Sequence, residues 1–319
     1  MNKFKKFKIS FLIIFLFVDV YGQDFIQFQN IPQHYNSAFA GINKCSNIVL
    51  TNNFHHVAPS LNFFSNTLII DTHVPLVSGG IKLEIEKFST PGNVFSNTYL
   101  SFAYAYQNKF NKKNRFSLSL QGTFFQENIN ISNLVFSNMI DIYSNTLEPN
   151  SEIFANNVLR GVFFGGGAVF YGKSYYFSFF VENFFSIYAT TPKKNDWNLS
   201  LIAEKQLIKT NKKYNLHYNS AFFFNRQFLS ISNGVVISND IIGCGMFVKE
   251  LLFDNNLTNA LSPYFTLNYK NISIGYSYSF YLGTLLKKHS SEHELNLKIR
   301  FNCREKNGNN TIICPAYKL

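Results

Sequence analysis

The chain has 319 residues and 36.7 kDa, and its 15% of charged residues falls well short of the roughly 25% in an average soluble domain. With 46% apolar and 18% aromatic residues it can bury a large surface and is not disordered, while a single long apolar run, at the N-terminus, excludes a bundle of membrane helices. The formal charge of +11 suits contact with anionic surfaces and singles out no partner.

The first element is basic, with Lys3, Lys5, Lys6 and Lys8, then apolar from Ile9 to Val18, then Val20-Tyr21-Gly22. This order predicts a secretory signal peptide over 1–22, cut after Gly22, with an apolar core too short to span a bilayer. Asp19 moves the exact cut by a few residues at most, and no Cys follows it to carry a lipid anchor. The remaining chain stays basic, at about +8.

Next comes an N-terminal segment, 23–44, whose residues from Pro32 to Gly41 are small, aromatic or turn-forming. Its candidate functional residues are Gln27, Phe28, Pro32, Tyr35, Asn36, Ala38, Phe39, Ala40 and Gly41, acting as a plug packed into a lumen or along a rim, or as a direct contact for a partner. Both uses remain open at the level of sequence.

From 45 to 302 strand-like stretches follow one another. Thirty-seven Phe and 18 Tyr favour them, because aromatic and β-branched side chains fit a pleated surface. Leu100, Phe102, Tyr104 and Tyr106 alternate with Ser101, Ala103, Ala105 and Gln107. Ile272, Ile274, Tyr276, Tyr278, Phe280 and Leu282 alternate with Ser273, Gly275, Ser277 and Ser279, and the same period-2 pattern returns at 81–86 and 294–301. A soluble sandwich would carry far more charge on its exposed face and shorter strands. The pattern therefore predicts an all-β fold, a transmembrane antiparallel up-and-down β-barrel of about 14 strands with lipid outside and a wet lumen inside. The expected strands are roughly 45–54, 61–73, 76–88, 96–109, 114–128, 159–171, 174–185, 196–207, 212–224, 227–238, 240–251, 260–270, 271–282 and 290–302, followed by a tail, 303–319. With both termini in the periplasm, short turns fall near Val74-Pro75, Gly172-Lys173, Asn239-Asp240 and Lys270-Asn271, and the long connection 129–158 falls outside the cell, as such barrels require. Closure leaves no strand edge unpaired in hydrocarbon.

Along these strands several motifs have a plain structural reading. Gly167 to Ser174 matches G-x-x-x-x-G-K-S, but Tyr175, Phe177, Phe179 and Val181 continue as a strand where a phosphate loop needs a helix, so the match is expected on a hairpin turn and no nucleotide or nucleic acid is expected. His289 and His293 lie about 13 Å apart on an extended strand and His55-His56 point to opposite faces, so no metal site is expected from them. No compact Ser/His pairing suggests a hydrolase. Of four cysteines, Cys303 and Cys314 flank a polar tail and are the expected disulfide, with Cys45 as the rival partner for either; Cys244 shares the apolar parity of Met246 and Val248. None has metal-site spacing. Lys82, Glu84, Glu86, Glu182, Glu204, Glu292, Glu294, Lys298 and Arg300 are expected to point inward, as ion pairs around a plug or as the lining of a pore.

The two ends of the chain carry a resemblance. Gln23-Asp24, Gln27-Phe28, Pro32 and Tyr35-Asn36-Ser37-Ala38-Phe39-Ala40-Gly41 resemble the opening of the PorP/SprF family of type IX secretion system membrane proteins, which runs from Q-D through Q-Y or Q-F to N-P-x-x-x-N-P-A-F-A-G. Ser291-Glu292-His293-Glu294-Leu295-Asn296-Leu297, with Cys303 and Cys314-Pro315, is similar to that family's S-H-E-[IL]-x-L strand and terminal C-P. Ile31 and Ser37 replace the usual Asn and Pro, and the stretch from Asp24 to Gln27 is about two residues short.

The resemblance implies an outer-membrane protein, without cofactor or enzymatic activity, that acts by protein–protein interaction in type IX export. Its implied partners are the secretion components and a secreted cargo or adhesin with a C-terminal sorting domain, anchored at the surface or serving gliding motility. The alternative is a passive outer-membrane channel for small or hydrophobic solutes, and an outer-membrane enzyme is a third reading.

Overall fold

Alternating side chains demand extended backbone, and the chain supplies it almost without interruption. The computed structural model describes residues 25–58, 61–130, 140–141, 146–147, 157–188, 197–210, 214–226, 228–253, 256–282, 291–303 and 314–315; the expected signal peptide lies outside them. The strands are β1 (Ser46–Ala58), β2 (Leu61–Val74), β3 (Gly79–Ser89), β4 (Phe95–Lys109), β5 (Arg115–Ile129), β6 (Asn157–Tyr171), β7 (Tyr175–Tyr188), β8 (Asn198–Thr210), β9 (Tyr214–Phe224), β10 (Phe228–Ser238), β11 (Ile242–Phe253), β12 (Asn256–Tyr269), β13 (Ile272–Leu282) and β14 (Ser291–Phe301). Each pairs antiparallel with the next, and β14 returns to β1 with Ser46 opposite Phe301 and His56 opposite Ser291, closing a 14-strand barrel.

Burial in this barrel is inverted relative to a water-soluble protein. On β4, Leu100, Phe102, Tyr104 and Tyr106 face outward while Ser101, Ala103 and Ala105 are buried. On β13, Ile272, Ile274, Tyr276, Phe280 and Leu282 face outward over buried Ser273, Ser277 and Ser279, and Leu120 on β5 is 70% exposed. Lys82, Glu84, Glu204, Glu292, Glu294 and Lys298 point inward as their parity predicts, and so do the half-buried Glu86 and Glu182. An apolar band around the whole circumference is stable against hydrocarbon and not against water. Strands of 11 to 15 residues, tilted as in other barrels, rise about 28 Å or more, enough to cross the apolar layer.

The observed strand ends fall within a few residues of the expected ones. β1 continues four residues past 54 and β12 starts four residues before 260. β3 begins at Gly79, not at 76, because Pro75–Val77 forms a 3-10 turn that ends on Ser78 in the left-handed region, φ 51°. The long connection between β5 and β6 holds a small two-stranded ribbon, Ile140–Asp141 with Thr146–Leu147, that alternation did not reveal. The turns at Val74-Pro75, Gly172-Lys173, Asn239-Asp240 and Lys270-Asn271 all lie at the end where β1 starts and β14 finishes, here called the terminal end; the β5–β6 connection lies at the opposite rim. The main apolar cluster sits inside the lumen, built on Phe25, Ile26, Phe28, Ile31, Phe39 and Ile42 of the N-terminal segment against Val49, Ile69, Tyr176, Phe223 and Phe247 of the wall.

Candidate functional site

Residues 25–43 fold into a plug inside the terminal half of the barrel. Pro32 at the first helical position starts a one-turn helix, α1 (Pro32–Tyr35), since its missing N–H needs no partner there. Asn36 ends that turn and caps the next, its Oδ1 accepting from the Ala38 N–H at 2.9 Å to begin a 3-10 turn over Ser37–Phe39. Gly41 then takes φ +64°, and a Cβ there would lie 2.8 Å from the Thr72 carbonyl oxygen, so the position excludes side chains on two counts.

The wall is shaped to this segment. Gly80 of β3 lies so close to the plug that a Cβ would stand 2.2 Å from the Ala40 oxygen, and Gly275 of β13 makes room in the same way for Gln27. Asn36 Nδ2 donates to Ser178 Oγ of β7 at 2.8 Å and to the Ala168 carbonyl of β6 at 3.0 Å. Ser37 Oγ donates to Ser119 Oγ of β5 at 2.9 Å, Ser117 Oγ to the Ala38 carbonyl at 2.6 Å, and Ser200 Oγ of β8 to the Tyr35 carbonyl at 2.9 Å. Phe39 stands edge-on to Tyr176, Phe28 edge-on to Phe247, and Tyr35 packs on Phe223. Of the candidate residues, Gln27, Phe28, Pro32, Tyr35, Asn36, Ala38, Phe39, Ala40 and Gly41 are all buried against the lumen wall.

Inward charges do the remaining holding. Glu294 of β14 accepts the Ile26 N–H at 2.7 Å and lies 3.3 Å from the Gln27 N–H; Asp71 of β2 accepts the Gly41 N–H at 2.9 Å. Lys298 donates to the Asn30 carbonyl at 3.0 Å, and Lys82 to the Gln33 carbonyl at 2.9 Å. Backbone N–H groups and carbonyls of the segment are thereby paired with side chains of the wall. Glu84 holds Lys82 Nζ at 2.6 Å on one oxygen and His34 Nδ1 at 2.5 Å on the other. Burial disfavours charge on the His34 ring, but the Glu84 carboxylate outweighs it and lifts the imidazole to about 9.

A scan against protein families matches residues 20–299 to the type IX secretion system membrane protein PorP/SprF. The chain belongs to this PorP/SprF family. As a PorP/SprF barrel with an apolar exterior it is an outer-membrane protein of the type IX secretion system. No curated protein matches it in sequence. Among solved structures it is similar to the CymD monoaromatic hydrocarbon channel (10% identity, TM-score 0.49, covering 88% of this chain and 92% of that one). It is also similar to the P. putida toluene transporter TodX (10%, 0.45, 81% and 89%) and to the KdgM porin (9%, 0.37, 80% and 99%). Likenesses this distant add nothing to the fold that the strand pairing defines.

The two departures from the PorP/SprF opening are absorbed by the barrel: Ile31 is fully buried in the lumen cluster, and Ser37 makes the bond to Ser119. One expectation is corrected. Cys303 is bonded to Cys45, not to Cys314, with their Cα atoms 4.1 Å apart. The register explains it, because Cys45 and Cys303 sit just beyond the last β1–β14 pair, Ser46 with Phe301, and strand pairing overrides nearness in sequence. Cys314 is instead buried in the apolar cluster that includes Tyr171, and Cys244 faces outward as its parity predicts.

The remaining motifs fall where their patterns place them. Gly167 to Ser174 spans the end of β6 and the turn into β7, a hairpin. His55 stacks on Tyr281, His56 meets Asn62, and His289 lies outside the described residues. Among the histidines that escaped the sequence reading are His34, and His217 of β9, whose Nδ1 lies 2.8 Å from Glu204 Oε1. His217 shares the inward parity of Asn219 and Ala221, a usable signal; His34 lies outside any strand and carries none.

Proposed function

We propose that this barrel serves type IX secretion as a plugged membrane scaffold that acts by protein–protein interaction, holding a secreted cargo or adhesin with a C-terminal sorting domain at the cell surface, or serving gliding. On this reading residues 1–22 are the leader, the terminal end and the 303–319 tail face the periplasm, and the β5–β6 connection faces outward. The reading is supported by membership of the family together with the plug: its wall contacts reach from β1 around to β14, which favours a scaffold over a solute path. It has no place for an enzymatic step.

The test is co-purification from detergent extracts with a secreted protein bearing a C-terminal sorting domain, and loss of that protein from the cell surface when the barrel is deleted. A neighbouring gene for a large repeat-rich adhesin would point the same way. Surface cargo unchanged by deletion, together with steady conductance of the intact barrel in planar bilayers, would favour the passive channel.

A further inference from the structure

The plug meets the wall at one group of side chains whose composition goes beyond what holding the plug requires. His34 on the plug and Glu84 and Glu86 on β3 bring their ligand atoms within 4.8 Å of one another. Glu182 of β7 adds a third carboxylate, near enough for its charge to act on His34 and Glu84. Lys82 is engaged by Glu84 Oε2 and by the Gln33 carbonyl. Glu86 receives Ser65 Oγ at 3.3 Å and Glu182 receives Asn198 Nδ2 at 3.2 Å, both neutral donors; among the described residues neither carboxylate is in ion-pair contact with a cation. Three carboxylates therefore face one ammonium and one imidazole inside a lumen, where an unbalanced charge is costly.

We propose that His34, Glu84 and Glu86, with Glu182 beside them, form a divalent-cation site of the zinc type that clamps the plug to the barrel wall. One imidazole nitrogen with carboxylate oxygens is a donor set for Zn2+ at about 2.0–2.2 Å, whereas Ca2+ and Mg2+ take oxygen shells. Tetrahedral bonds of that length place ligand atoms about 3.4 Å apart, so the group must contract and the His34–Glu84 contact must open slightly, movements within reach of side-chain rotation. The ion takes the place of the proton that His34 Nδ1 shares with Glu84 Oε1, and that proton leaves to solvent. Lys82 stays on Glu84 Oε2. Glu86 and Glu182 are half-buried and the His34 side chain is 15% exposed, so an ion reaches the site from the half of the lumen beyond the plug. The site goes beyond the proposed role in secretion and stands whether or not a cargo is held.

The experiment uses the full-length protein without an affinity tag, purified in detergent, stripped with EDTA and titrated with Zn2+. One Zn2+ per chain is expected, with X-ray absorption reporting nitrogen and oxygen ligands and no sulfur. His34→Ala and Glu86→Gln should each weaken binding by roughly tenfold or more; Glu86→Gln removes little beyond the Ser65 contact and so spares folding. EDTA should also expose residues 25–43 to protease in the intact protein, and Zn2+ should protect them again. Failure to bind below about 1 mM, or binding of equal strength in both variants, overturns the proposal, as does a ligand shell without nitrogen.

Discussion

Gly41 has little latitude, because it combines a left-handed backbone with a close approach to β2. In Gly41→Val the strained dihedral and the clash with Thr72 and His73 each cost about 1–3 kcal/mol. The barrel has its own closed ladder and should still form, so limited proteolysis is expected to cut within residues 25–43 of the variant while the wall resists. Glu294→Ala acts at the other end of the segment by taking away the acceptor of the Ile26 N–H, a hydrogen bond worth about 0.5–1.5 kcal/mol. Cleavage there should begin nearer Phe25 and leave the Gly41 end protected. The candidate residues from Gln27 to Gly41 were legible because the segment is rich in small and turn-forming side chains, but sequence could not separate a plug from a docking surface, which differ in what covers the same side chains. His34 was missed for a related reason: its partners Glu84 and Glu86 are some fifty positions away, on another element, and chain spacing carries no trace of that meeting.

At the level of the strands, parity was the readable quantity. Lipid on one side and a closely packed lumen on the other impose a strict demand at every second position, so β4 and β13 could be read almost residue by residue. Ends were harder, since at a rim both faces become polar and alternation fades; the 3-10 turn at Pro75 shortened β3 for a purely local reason. Leu120→Arg places a charge on the apolar face and should lower stability in detergent or lipid unfolding by about 2–4 kcal/mol if it lies near the bilayer midplane. The disulfide was misread because neighbours in sequence competed with neighbours across the β1–β14 seam, and the seam prevailed. Cys303→Ser should therefore abolish the faster migration of the unreduced chain on denaturing gels and lower unfolding stability by about 2–4 kcal/mol. Cys314→Ser should leave the crosslink intact.

For the whole molecule, the plug decides what kind of object this barrel is. A 14-strand wall is wide enough to pass small solutes if its interior is vacant, and here the terminal half is filled by apolar and hydrogen-bonded side chains. The intact protein should be electrically silent in planar bilayers, and deletion of residues 25–42 should produce discrete conductance steps; steps of equal size from the intact protein would contradict the occlusion. The bond across the seam has a further consequence for biogenesis. Cys45 precedes every strand and Cys303 follows the last, so native pairing of the two sulfurs has to wait until all fourteen hairpin partners lie side by side. A thiol-alkylating pulse applied to growing cells would thus tag unfinished chains at both positions and pass over mature ones, turning a single covalent link into a clock for assembly.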